Sequence, residues 1–148
     1  YIRSILRLDD GRMAFATLDG VELFDGSDFT RIDPHGSTPA PLPAYRGYHH
    51  LYLSHAGRYL WIKNLGTLQC IDLDTETYVP DTKSLLCQLG ASTPPDDFFG
   101  DSRGHIWTVN ADTLRPAGSP TDIILPAAHG PLLDALLCDV ACKLFIVV

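Results

Sequence analysis

Short apolar stretches alternate along this chain with polar turns that close on glycine. Ile2-Arg3-Ser4-Ile5-Leu6-Arg7-Leu8 leads into Asp9-Asp10-Gly11, and the chain returns through residues 13–18. Asp-Gly between apolar runs predicts a hairpin, because such a turn needs positive φ. A second turn, Asp19-Gly20, precedes Val21-Glu22-Leu23-Phe24, whose alternation suits a half-buried strand. Asp25-Gly26-Ser27-Asp28 then turns the chain into Phe29-Thr30-Arg31-Ile32. The pattern predicts four short strands joined by tight turns over residues 1–33.

The plan then repeats. Residues 51–54 are followed by a turn on Gly57, a strand over 59–63, Gly66, a strand over 68–73 and a polar turn into Tyr78-Val79. A third unit offers Asp97-Phe98-Phe99, a turn ending at Gly104, and a strand over 106–109. An aromatic residue recurs inside the same phrase: Phe15, Trp61 and Trp107, with 61 − 15 = 46 and 107 − 61 = 46. Residues 139–147 lie over 101–109 and put Phe145 at the aromatic position, with Cys142 in place of the turn glycine. Between the units, the proline-rich residues 34–50 predict an irregular connection. Residues 81–90 predict a short helix, capped by Asp81 or Thr82 and closed by Gly90, with Leu85, Leu86 and Leu89 on one face. Residues 131–137 predict a second helix in the corresponding place.

A fixed period in this range marks a repeat architecture. Four-stranded units with a hairpin glycine and a strand aromatic fit the blades of a β-propeller, which stack because one small sheet cannot bury both faces alone. A β-sandwich of the same strands predicts no such period. The expected fold is therefore all-β: an incomplete β-propeller over residues 1–148, with approximate blades at 1–33, 48–80, 96–118 and a truncated 134–148. Phe15, Trp61, Trp107 and Phe145 are expected to pack between blades, and Gly11, Gly57 and Gly104 to make the hairpins.

Composition narrows the function. The chain is 45% hydrophobic and 20% charged, as globular proteins are. A net charge of −7 argues against nucleic acid or an anionic membrane as partner, since both need a basic face. No apolar run approaches the roughly 18–20 residues that span a bilayer. Cys70, Cys87, Cys138 and Cys142 show no CxxC pair and no flanking histidine at zinc spacing. Cys138 and Cys142 flank a hairpin turn, where a local disulfide is conceivable. The chain starts at Tyr1 and ends inside an apolar run, so the natural sequence is expected to continue.

Candidate catalytic groups do not assemble. A glycosidase needs two carboxylates about 5–9 Å apart across a cleft, whereas Asp9-Asp10 and Asp96-Asp97 are adjacent and point to opposite faces of a strand. The same divergence separates His49 from His50, and no third metal ligand stands at a fixed spacing. Ser54-His55 and Ser102 lack the Gly-x-Ser-x-Gly elbow of a hydrolase. No catalytic residue, metal or cofactor is expected. Tyr45, Arg46, Tyr48 and His49 lie in a connection outside the repeated phrase and are the expected ligand contacts, because binding groups tend to sit on loops over a rigid scaffold.

The phrase Asp101-Ser102-Arg103-Gly104-His105-Ile106-Trp107 resembles the two-component regulator propeller repeat. The segment from Leu60-Trp61-Ile62-Lys63-Asn64 through Ile71-Asp72-Leu73 looks like another copy, and residues 3–29 like a third. With the helix-like Leu85-Leu86-Cys87-Gln88-Leu89-Gly90 leading to Asp96-Asp97-Phe98-Phe99, the chain resembles the sensor region of hybrid two-component systems of Bacteroides-type bacteria. That resemblance implies a periplasmic segment, about half of a seven-bladed propeller, in a receptor whose kinase lies elsewhere. It further implies an oligosaccharide or other small ligand, the remaining blades of the parent chain and a homodimer as partners. A propeller enzyme of lyase type and a protein-interaction scaffold are the alternatives.

Overall fold

The polar turns deliver the strands in sequence order. In the computed structural model residues 1–91, 95–111, 113–118, 123–124, 134–138 and 143–147 are described, with side chains as far as residue 118. Strands β1 (Ile2–Arg7), β2 (Met13–Thr17), β3 (Gly20–Phe24) and β4 (Phe29–Ile32) form one antiparallel sheet in chain order. Its first hairpin closes where Leu8 N–H donates to the Arg12 carbonyl at 2.8 Å and Gly11, at φ +91°, donates to Leu8.

The second sheet is built from β5 (Ala40–Pro41), β6 (His50–Ser54), β7 (Tyr59–Asn64), β8 (Thr67–Asp72) and β9 (Thr77–Tyr78). Strands β6, β7 and β8 run in order, and β8 pairs on its far side with both β5 and β9. The third sheet holds β10 (Asp97–Gly100), β11 (Ile106–Asn110), β12 (Thr113–Pro116) and β13 (Ile123–Ile124), so it reaches past residue 118. Last comes a hairpin of β14 (Asp134–Cys138) and β15 (Lys143–Val147). The protein is all-β with several antiparallel sheets that do not close on themselves.

Helix α1 (Thr82–Gln88) lies between the second and third sheets in sequence. The Asp81 carboxylate caps it by accepting from Ser84 N–H, Leu85 and Leu86 are buried, and Gly90 leaves it at φ +81°. The helix expected over residues 131–137 is corrected, since 134–137 belong to β14 and 131–133 lie outside the described residues. Ala135-Leu136-Leu137 is a short apolar run, and periodicity cannot separate a strand from a helix over that length.

The first strands stand in a row: β1 lies against β6, β6 against β10, and β10 against β14. The first sheet lays Ala14, Ala16, Val21, Leu23 and Ile32 on Leu51, Leu60, Ile62, Ile71 and Tyr78 of the second. The opposite face of the second sheet brings Trp61, Leu68 and Cys70 together with Leu85 and Leu86 of α1 against Phe98 and Ile106 of the third. Strand β10 approaches β6 closely, and Gly100 makes that possible: a Cβ there would sit 2.6 Å from the Tyr52 Cβ.

The recurring aromatics fall in different environments. Trp61 is fully buried between the second and third sheets. Trp107 is half-buried and sits on the face of its sheet opposite Ile106. Phe15 is half-exposed, because Ala14 and Ala16 occupy the buried face of β2 and alternation turns Phe15 away. Trp61 and Trp107 thus point onward along the row, and Phe15 points back. Gly20 opens β3 opposite Thr17, whereas Gly66 lies inside the turn between Asn64 and Thr67. The period at these glycines therefore does not mark one structural place. Phe145 pairs with Leu136 in the final hairpin, and residues 141–142, with any Cys138–Cys142 bond, lie outside the described residues.

Candidate functional site

The connection before β6 folds back because its polar groups find partners at once. Leu42 N–H donates to the Gly66 carbonyl at 2.8 Å, Gly66 N–H to Tyr45, and Tyr45 N–H to Leu42. Tyr45 is buried, and its hydroxyl donates to the Tyr48 carbonyl. A Cβ at Gly47 would strike the Tyr45 ring, so glycine is needed for the chain to wrap it. Tyr45 is a prop beneath the loop, and Arg46 reaches back from the surface to its carbonyl at 3.4 Å.

Tyr48 carries the exposed surface. Its side chain is 69% exposed, and the Arg3 guanidinium of β1 stands 4.7 Å from the ring centroid, with the Tyr1 ring 5.9 Å from the same group. Cation–π contacts of this kind contribute about 0.5–1 kcal/mol at exposed sites. His49 beside them is half-buried, and burial followed by the Arg3 charge lowers its pKa, which favours the neutral ring. It lines a small cleft of about 140 Å³ with Tyr78 and Gln69. Burial pushes the Tyr78 hydroxyl up to about 12. Arg3 is the member of this group that sequence reasoning misses, since it lies in β1, far in sequence from the connection that holds Tyr48.

Under the prop lies a buried ion pair. The Lys63 ammonium, on a side chain only 1% exposed, donates to Asp97 Oδ1 at 3.0 Å and to the Phe98 carbonyl at 3.1 Å. Tyr45 and Phe99 flank it, their ring centroids 4.1 Å and 4.2 Å away. The pair ties β7 to β10 and the loop to both, so the exposed Tyr48 ring rests on a braced scaffold.

The remaining polar candidates are engaged in structure. Asp96 accepts from Ala111 N–H at 2.7 Å. The Ser54 hydroxyl is buried, accepts from the Trp61 indole at 2.7 Å and meets His55 Nδ1 at 2.8 Å. Asp101 accepts from the N–H groups of Arg103 and His105 and from the Trp107 indole. Burial alone would raise the Asp101 carboxyl, yet the His105 N–H, the Trp107 indole and the His105 charge hold it below its usual range. Among the described residues no three of His, Cys, Asp and Glu gather to hold a metal ion. Among them, too, no helix is long and apolar enough to cross a membrane.

At the opposite ends of β1, β6 and β10 from Tyr48, the first hairpins of three sheets enclose a cleft of about 380 Å³. Its lining includes Arg7, Tyr52, Gly57, Asp101 and Arg103. What the Tyr48 patch offers is an exposed ring, a guanidinium over it and a half-buried imidazole beside it, a surface suited to holding a polar ligand by stacking and hydrogen bonds. Compared with protein-family models, curated proteins and solved structures, the chain matches none.

Proposed function

We propose that the chain is a run of β-propeller blades from the extracytoplasmic sensing region of a hybrid two-component receptor, and that it binds an oligosaccharide without transforming it. One observation carries the propeller: consecutive antiparallel meanders stand with their first strands in a row and lay one face each on the next. A two-layer sandwich has no place for a third sheet beyond the second. The receptor family and the periplasmic location rest on the resemblance of the Asp101 to Trp107 phrase to the regulator repeat. Ligand contact falls to Tyr48, Arg3 and His49, with Tyr45 as their support.

Calorimetric titration with a panel of oligosaccharides, with peptides as controls, tests this. Saturable saccharide binding is expected, weakened at least about tenfold in Tyr48→Ala, with the sugar recovered intact. Binding of a peptide and no sugar would favour the interaction scaffold, and a cleaved sugar would favour the lyase.

A further inference from the structure

Three polar side chains interrupt the apolar interface between the first and second sheets. Leu51 and Ile62 of the second sheet pack on the first. Alternation puts His49 and Asn64, two positions from them, on the same face, and Gln69 joins it as the cross-strand partner of Ile62. All three line the cleft of about 140 Å³, and residues 18–21 of the first sheet line it from the other side. Gly20 has no side chain to fill the gap, and the Tyr78 hydroxyl stands 3.7 Å from where a Cβ would be. That hydroxyl is bonded to the Val21 backbone, which ties the two sheets together beside the cleft.

The polar groups of the cleft are short of partners. Gln69 gives one amide hydrogen to Ser37 Oγ at 3.2 Å. Among the described residues its carbonyl oxygen, the Asn64 amide and the His49 ring have no hydrogen-bond partner. Each amide carries a donor and an acceptor, and a neutral imidazole has one of each. Burial and the Arg3 charge lower the His49 pKa and so favour the neutral ring. Charge at the mouth is balanced, because the Arg31 guanidinium reaches the carbonyl of Asp19 at 3.0 Å. Val21, Pro34 and Ile62 supply an apolar wall. A group that fits is therefore neutral, both donates and accepts hydrogen bonds, and has an apolar end.

Volume sets its size. A cleft of about 140 Å³ has room for about four or five waters at liquid density. That suits one substituent and falls below the roughly 300 Å³ at which pockets for whole ligands begin. A hydroxymethyl group would leave much of the space and the apolar wall unused. His49 belongs both to this cleft and to the Tyr48 patch. We infer that the cleft is a subsite for the acetamido group of an N-acetylated sugar held at Tyr48. The acetamido carbonyl and N–H pair with the Asn64 and Gln69 amides, and the methyl lies against Val21 and Ile62. This inference rests on the saccharide reading proposed above.

Calorimetric titration with diacetylchitobiose and with cellobiose tests it, since the two share one glycosidic linkage and differ in acetamido against hydroxyl. The acetylated sugar is expected to bind at least about tenfold more tightly. Asn64→Leu and Gln69→Met nearly keep side-chain volume and lose the amide. Each is expected to retain the wild-type circular dichroism and to cut that preference about fivefold. Saturation-transfer NMR on the wild-type protein needs no variant to fold, and should reach the acetyl methyl protons more strongly than the ring protons. Equal affinities for the two sugars, a preference unchanged in both variants, or saturation strongest on the ring would each overturn the subsite. Tighter binding of the de-acetylated amine would overturn it as well, by giving the cleft to a cation beside Asp19. Cellobiose binding without an acetyl preference leaves the saccharide reading standing, whereas binding of no sugar removes both.

Discussion

The buried Lys63–Asp97 pair makes the sharpest energetic prediction. Asp97→Ala removes the carboxylate and leaves the ammonium with the Phe98 carbonyl at 3.1 Å and two rings at 4.1 Å and 4.2 Å. Breaking a buried pair from one side costs about 3–5 kcal/mol, because the remaining charge stays desolvated. The carbonyl and rings offset part of that, which places the loss near the low end, at about 3 kcal/mol. At about 2–4 °C per kcal/mol for a chain of this size, the midpoint should fall by roughly 10 °C. Lys63→Met takes the ammonium from the buried carboxylate, whose Oδ1 keeps the Phe98 N–H at 2.8 Å, so a similar loss follows.

The double variant decides the matter. With both charges gone no ion is stranded, and Met fills much of the lysine's volume, so the net loss should be about 1–2 kcal/mol. The assay is urea unfolding followed by fluorescence in a Trp107→Phe background, which leaves Trp61 between the two sheets that the pair joins as the reporter. A double variant that loses the sum of the single losses, about 6 kcal/mol, would refute a stranded charge as the cause.

Gly90→Ala should cost more than about 2 kcal/mol, since the residue has φ +81° and a Cβ there would lie 2.8 Å from Gly118. Gly36→Ala, at φ +78° with open space around it, should cost only about 1 kcal/mol of strain; equal losses in chemical denaturation would contradict this. The thermal midpoint should fall in two stages on acidification. His49 and His55 have folded pKa values below their ordinary 6.5, chiefly through burial. The unfolded chain therefore takes up protons first, and stability drops as pH falls below 6.5. Replacing both with Gln should flatten that stage in a fluorimetric pH series. Asp72, held down by the Arg58 hydrogen bond, and Asp101 are depressed below 3.8, so their contribution is lost only as pH falls through and below that value. Burial drives the Cys70 thiol far up, so iodoacetamide at pH 8 should label exposed Cys87 and spare Cys70 until urea is added, as peptide mass spectrometry would report.

Local chemistry made the hairpins and their order legible from sequence. Gly11, Gly57 and Gly104 all have positive φ, a demand that a polar turn ending in glycine announces in the letters. The helix was legible for the same reason, because Asp81 caps and Gly90 terminates within one short window. Strand β5 was not, since two residues with a proline carry no period, and only the free edge of β8 gives them a place to pair. Tyr45 and Tyr48 share a residue type and a loop, and nothing local says that one is buried and the other exposed. That difference comes from Lys63 and Gly66, remote in sequence, which hold the loop down.

Which face the repeated aromatic occupies depends on a count that periodicity ignores. Spacing of 46 joins Phe15, Trp61 and Trp107, yet the hairpin glycines lie 57 − 11 = 46 and 104 − 57 = 47 apart. The loop between Arg7 and Met13 holds five residues, that between Ser54 and Tyr59 four, and that between Gly100 and Ile106 five. A one-residue slip moves a strand's side chains to the opposite face. Trp107 follows its glycine by three positions and Trp61 by four, and the shorter loop before Trp61 compensates. Phe15 follows by four without that compensation, so Ala14 takes the onward position and Phe15 turns outward. The odd member of the repeat is therefore the one on the face of the first sheet that no other sheet covers among the described residues.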